Sequence, residues 1–101
     1  MIRLIVTADD KLYDRLARRA QTEGDTVTRA TNVLAGFKQA MIEPAGMILV
    51  DMSLHAADTL LETLHSRETT ANIPLVAVTA DGQLPLELRL LCVAVLEVGN
   101  L

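Results

Sequence analysis

Apolar residues along this chain gather in short unbroken runs, separated by longer stretches in which they recur every three to four positions. The runs are Leu4-Ile5-Val6-Thr7-Ala8, Met47-Ile48-Leu49-Val50 and Leu75-Val76-Ala77-Val78. Aliphatic runs of this length read as strands buried on both faces, the pattern of a parallel sheet covered by helices. A weaker run, Thr26 to Ala30, is rich in Thr and Val and carries Arg29, which suits a partly wet edge strand. Between the first two, Leu12, Leu16, Ala17 and Ala20 fall on one side at helical spacing while Lys11, Asp14, Arg15, Arg18 and Arg19 face away, so the pattern predicts a helix over Lys11 to Thr22. Asp9 or Asp10 caps it and Gly24 stops it. A second helix follows Thr31 or Asn32 with the stripe Val33, Leu34, Phe37, Ala40 and Met41, and Pro44 ends it. Thr59-Leu60-Leu61-Glu62 matches a capping box opening a third helix, whose narrow stripe is Leu60, Leu61 and Leu64.

The last third is less regular. Ile73-Pro74 opens the fourth strand, where proline at the first position costs no ladder bond. Leu84, Leu86, Leu88 and Leu90 alternate with polar residues or proline, a period of two that favours a strand, and Asp81-Gly82 is a hairpin signal. Pro85 and the helix propensity of leucine favour instead a short fourth helix, which is the reading adopted. Val93 to Val98 is then the fifth strand. Strands alternating with helices predict one α/β domain, a doubly wound five-stranded parallel sheet with helices on both faces. The chain stops at Leu101, so no fifth helix is expected. One face would be covered by the first helix alone, leaving residues within Leu75 to Val78 and Val93 to Val98 open to water. Such a patch predicts a homodimer or a tight complex that covers this face, or else a further segment of a longer chain that does so.

At 101 residues there is room for one core, and with Tyr13 and Phe37 the only aromatics that core must be aliphatic. The formal charge of −4 is uneven: seven basic and six acidic groups lie in residues 1 to 45, two basic and seven acidic in the remainder. An acidic chain binds phosphate backbones poorly, which argues against nucleic acid and for a protein partner or a cation. Cys92 sits inside the apolar run Leu90 to Leu96 and reads as a small buried hydrophobe. The sequence carries no disulfide framework, signal-peptide core or run long enough to span a bilayer, and a reducing, cytoplasmic setting without membrane contact is expected.

Candidate chemistry follows from the sheet. Ligands of doubly wound sheets sit outside the carboxyl ends of the strands. Asp51 ends the central run, Asp9 and Asp10 follow the first, and Thr79 ends the fourth. Carboxylates converging there favour a hard cation such as magnesium. Each has a plainer reading: Asp9 and Asp10 as helix caps, Asp51 as a turn residue, Thr79 as a strand former. His55 and His65 read as solvated surface histidines, and Arg15, Arg18 and Arg19 as a solvated face.

With these residues in place, the chain from Leu4 to about Val98 resembles the receiver domain of two-component response regulators. The resemblance rests on Leu4-Ile5-Val6 leading to Asp9, on Gly24 and Ala30 to Asn32, on Met47 to Asp51, and most specifically on Ile73-Pro74-Leu75-Val76-Ala77-Val78-Thr79-Ala80. It implies a flavodoxin-like fold and a signalling module rather than an enzyme. Asp51 would accept a phosphoryl group from a histidine kinase beside a magnesium ion held by Asp9, Asp51 and the Ser53 backbone carbonyl, and Thr79 would bond the phosphoryl oxygen and transmit the switch. Ala8 occupies the place of the family's first acid, for which Asp10 would substitute. The loop after Asp51 is about two residues short of the family pattern, the family's lysine falls near Glu97, and its aromatic switch position falls near Ala94. A carboxylate in place of an ammonium reverses the sign of the interaction with a phosphoryl group. The resemblance thus implies an atypical, pseudo-receiver form in phosphorelay signalling, acting on protein partners such as a histidine kinase or an output domain. The alternatives are an orthodox magnesium-dependent phosphoacceptor and an aspartyl-nucleophile phosphohydrolase, which calls for a general acid where Ser53 stands.

Overall fold

The computed structural model describes residues 1 to 101. Five strands, β1 (Ile2–Val6), β2 (Thr26–Ala30), β3 (Met47–Asp51), β4 (Leu75–Thr79) and β5 (Ala94–Glu97), alternate with helices α1 (Asp10–Thr22), α2 (Val33–Ile42), α3 (Ala57–Ser66) and α4 (Leu86–Arg89). The sheet order is β2-β1-β3-β4-β5 with every neighbouring pair parallel. This is the doubly wound, flavodoxin-like architecture the apolar runs predict, with its strand order reversing between β1 and β3. A 3-10 turn, Val98–Asn100, follows β5, and there is no fifth helix.

α1 lies on one face, where Leu12, Leu16 and Ala17 pack against Ile5, Leu49, Val76 and Val78. α2 and α3 lie on the other, where Leu60, Leu61 and Leu64 close over Leu4, Val6, Ile48 and Val50. Each fully buried leucine there contributes about 1.5–3 kcal/mol of burial free energy. The expected stop at Gly24 takes a specific form. Gly24 adopts φ +85°, its N–H bonds to the Gln21 carbonyl, and the Asp25 N–H reaches back to the Ala20 carbonyl, satisfying two terminal acceptors of α1. Asp25 is then placed beside β1, where its carboxylate accepts from the Met1 amino group at 3.1 Å and from Arg3 Nε at 2.7 Å. Arg3 also pairs with Glu23. Burial works against the charge on Arg3, but Glu23 and Asp25 outweigh it and raise its pKa. The Asp25 carboxyl is held below its ordinary value, chiefly by the bond from the Met1 amino group; burial opposes this, and Arg3 adds to the lowering.

Several expectations need correction. β1 ends at Val6, so Thr7 and Ala8 belong to the loop beyond it. Asn32, of the two candidates, caps α2 by accepting from the Ala35 N–H at 2.8 Å. In α2 the expected stripe holds at Ala40, which is buried, and at Val33, Phe37 and Met41, which are half-buried, but Leu34 is 62% exposed and Gly36 is buried instead, because only a residue without Cβ fits against Val6. The Thr59 to Glu62 capping box does not form. α3 already begins at Ala57, after Ala56 in a left-handed conformation (φ 62°), and the Thr59 N–H bonds to Asp58 instead. The short fourth helix expected in this stretch does form, as α4, against the period of two in Leu84 to Leu90. β5 is shorter than Val93 to Val98 by a residue at each end. The sheet face beside α1 is less open than expected, since β4 is buried throughout; Leu96, Val98 and Leu101 pack onto this face and take part of the missing helix's place. The large apolar side chains that do reach solvent on this side of the sequence are Leu86, Leu90 and Val93. Cys92 is half-buried rather than buried, and burial pushes its thiol pKa up, partly offset by a backbone hydrogen bond with Ala77. No helix is long and apolar enough to cross a membrane.

Candidate functional site

β3 is flanked by β1 and β4, so its last residue, Asp51, lies at the centre of the sheet's carboxyl edge and is 6% exposed. The register pairs Val6 with Val50, which brings the next residue of the first strand, Thr7, alongside Asp51. Thr7 is fully buried. Its Oγ1 donates to Asp51 Oδ2 at 2.7 Å and accepts from the Asp9 N–H at 3.1 Å. On the other side, the Ser53 N–H (3.0 Å) and the Ser53 hydroxyl (2.7 Å) both donate to Asp51 Oδ1. The carboxylate is therefore held by three charge-assisted hydrogen bonds from its own chain, with both oxygens engaged. Thr7 was missed in the sequence because a threonine inside an aliphatic run reads as a strand former. The signal that could have found it is the register of two adjacent runs.

Asp9 caps α1: its Oδ1 accepts from the Lys11 N–H at 2.9 Å and the Leu12 N–H at 3.1 Å. It faces the same cleft as Asp51, Ser53 and Thr79. Asp10 does not. Its carboxylate turns outward to Arg29 at 2.8 Å, and Arg29 is fixed in turn by the Thr7 carbonyl and by the ring of Tyr13, 4.6 Å beneath it. Thr79, the last residue of β4, is opposite Glu97 in the register. The Thr79 hydroxyl is buried without a hydrogen-bond partner. Glu97 accepts from the Asn100 side chain at 2.7 Å. His55 and His65 are exposed, as are Arg15, Arg18 and Arg19.

The cleft over Asp51 has a volume of about 690 Å³. Asp9, Asp51, Ser53, Thr79 and Gln83 give it polar lining, and Leu12, Leu84, Leu88 and Val98 aliphatic lining. No lysine, arginine or histidine lines it. Nowhere do three histidine, cysteine or acidic side chains stand together as a metal-holding group. Magnesium demands near-octahedral oxygen ligation. With Asp10 turned away, only the Asp9 and Asp51 carboxylates remain in the cleft, and the residues present do not fit a well-formed magnesium site.

This geometry belongs to a known class of fold: a doubly wound parallel sheet of order 2-1-3-4-5. Solved structures share it along most of their length. They include a sensor protein from Polaromonas sp. JS666 (20% identity, TM-score 0.86, covering 95% of this chain and 82% of that one). A CheY-like response regulator receiver domain from Methylobacillus flagellatus aligns at 16% identity and TM-score 0.85, over 96% and 85% of the two chains. Another CheY-like receiver domain protein, from Methanospirillum hungatei JF-1, aligns at 23% identity and TM-score 0.78, over 95% and 79%. No family model matches the sequence, and no curated protein matches it. At these identities the likeness is one of fold.

Proposed function

We propose that this chain is an atypical receiver-type signalling domain, acting by contact with protein partners in two-component signalling rather than as an enzyme or an efficient magnesium-dependent phosphoacceptor. The observation that carries the reading is the state of Asp51. The phosphoacceptor candidate has both oxygens engaged by Thr7 and Ser53, and no cation of the chain lines its cleft. The receiver fold shared with proteins described as sensor and response regulator supports the signalling assignment. Thr79 is the candidate switch hydroxyl, and its register partner Glu97, which bonds to Asn100 and lies outside the cleft lining, is an acid where a phosphoryl group would call for an ammonium. Magnesium would meet only the Asp9 and Asp51 carboxylates in the cleft, and weak binding is expected.

The test is incubation with acetyl phosphate and magnesium, followed by intact mass. Labelling should be slow or absent, and Glu97→Lys should raise it. Rapid stoichiometric labelling that disappears in Asp51→Asn would overturn the reading in favour of an orthodox phosphoacceptor. For the partner surface, Leu86, Leu90 and Val93 are 68%, 74% and 67% exposed and close together along the chain, in α4 and in the segment between it and β5. Apolar side chains grouped in this way mark an interface. The proposed assembly is a symmetric homodimer. Light scattering coupled to size exclusion should give twice the monomer mass, and a monomer at high concentration that binds no apolar dye would refute it.

A further inference from the structure

We infer that the cleft over Asp51 is a binding site for an alkylammonium group, a protonated primary amine carried on an unbranched aliphatic stem. This rests on the reading of that cleft as the functional site and adds the class of ligand it takes. The first ground is charge. Asp51 is more than nine-tenths buried, yet none of the chain's four ion pairs involves it or Asp9. Buried carboxylates are ordinarily paired, and here no lysine, arginine or histidine of the chain lines the cleft to pair with it. An anion such as a phosphate group would meet acids and no counter-charge.

The second ground is Thr79, which lines the cleft and whose buried hydroxyl makes no hydrogen bond within the chain. Its oxygen is an available acceptor for an N–H of the ligand, as is the Asp9 oxygen not used in capping. The third is the wall. Leu12, Leu84, Leu88 and Val98 offer aliphatic surface next to these acceptors. A bare metal ion would leave that surface unused, whereas an aliphatic stem lies along it while its charged head reaches the acids, as lysine stems do elsewhere. A volume of about 690 Å³ falls within the usual range for small-molecule sites. A free alkylamine and the lysine side chain of a partner present the same chemistry.

The experiment is an amide NMR titration of the whole chain with n-butylammonium, 1-butanol and butyrate in parallel. Butylammonium should shift the amides of Asp9, Met52, Ser53 and Ala80 saturably. The neutral alcohol should bind at least about tenfold more weakly, since a hydrogen bond to a charged group is worth that much, and butyrate should leave these amides unmoved. Asp51→Asn should weaken butylammonium by a similar factor while its spectrum elsewhere stays that of the wild type; if that variant does not fold, the ratio of ammonium to alcohol on the wild-type chain decides alone. Nα-acetyl-lysine N-methylamide distinguishes the sources: tighter binding than butylammonium points to a partner's lysine, equal or weaker binding to a free amine, and either supports the site. Equal binding of alcohol and ammonium, or shifts confined to other regions, overturns the inference. Acetyl phosphate labelling is read separately by mass, so a failure of the signalling assignment and a failure of the ammonium site are told apart.

Discussion

Replacing Thr7 by valine removes one hydroxyl and almost no volume, which makes it a clean probe of what holds Asp51. The lost group donates to a buried carboxylate oxygen at 2.7 Å and accepts from the Asp9 N–H at 3.1 Å. A hydrogen bond to a charged group is worth about 1.5–3 kcal/mol, and the neutral one about 0.5–1.5 kcal/mol. No cavity term enters, because valine fills the same space. The expected loss is therefore roughly 2–4 kcal/mol, a large part of the 5–15 kcal/mol that typically stabilises a domain of this size. Urea denaturation should show the midpoint falling with the slope unchanged. Thr7→Ser keeps both bonds and should recover most of the loss. Ser53→Ala should cost less than Thr7→Val, about 1 kcal/mol, because the Ser53 N–H still reaches Asp51. A Thr7→Val midpoint matching the wild type would refute the reasoning, since Asp51 would then be satisfied without Thr7.

A Cβ added at Gly36 would stand 2.9 Å from Val6 Cγ2 and 3.5 Å from Leu60 Cδ2, both fully buried side chains. Overpacking of about 1–3 kcal/mol should outweigh the gain of about 1 kcal/mol in helix propensity, so Gly36→Ala destabilises; in a Val6→Ala background the sign should reverse, and urea titration of the four proteins reads both. Asp25 gives an acid-side dependence. Its folded pKa lies below the ordinary 3.8, so its contribution is complete above that value and is lost as the pH falls through the folded pKa. Stability measured from pH 6 down to 2 should therefore fall less steeply in Asp25→Asn than in the wild type, and parallel curves would sink the assignment.

What the sequence made legible is what depends on short-range pattern. Met47 to Asp51 reads as a central strand because both of its faces are covered, and Asp9 and Asn32 cap their helices because their side chains reach the N–H groups just beyond them. Three things depended on contacts that no local pattern encodes. Thr7 meets Asp51 only through strand register, 44 positions away in sequence. Gly36, not Leu34, faces the sheet because Val6 leaves room for no side chain there. The cluster that holds Val76 and Val78 is joined by Leu96 of β5 and by Val98 and Leu101 beyond it, packing that a segment with no helical period did not announce.

The all-parallel sheet has a kinetic consequence. No strand is joined to its neighbour by a tight turn; the nearest pairing in sequence joins Val76 to Ala94, and the central pairing of Arg3 with Met47 must wait for a much larger loop to close. Loop-closure entropy is lost before such pairings return anything, so folding of this chain is slower than that of a helical bundle of equal length. Asp51 sits on the strand that needs both of its neighbours, β1 and β4, in place. A nascent or partly unfolded chain therefore has no site at all, and recognition of the cleft by any ligand or partner reports on completed folding.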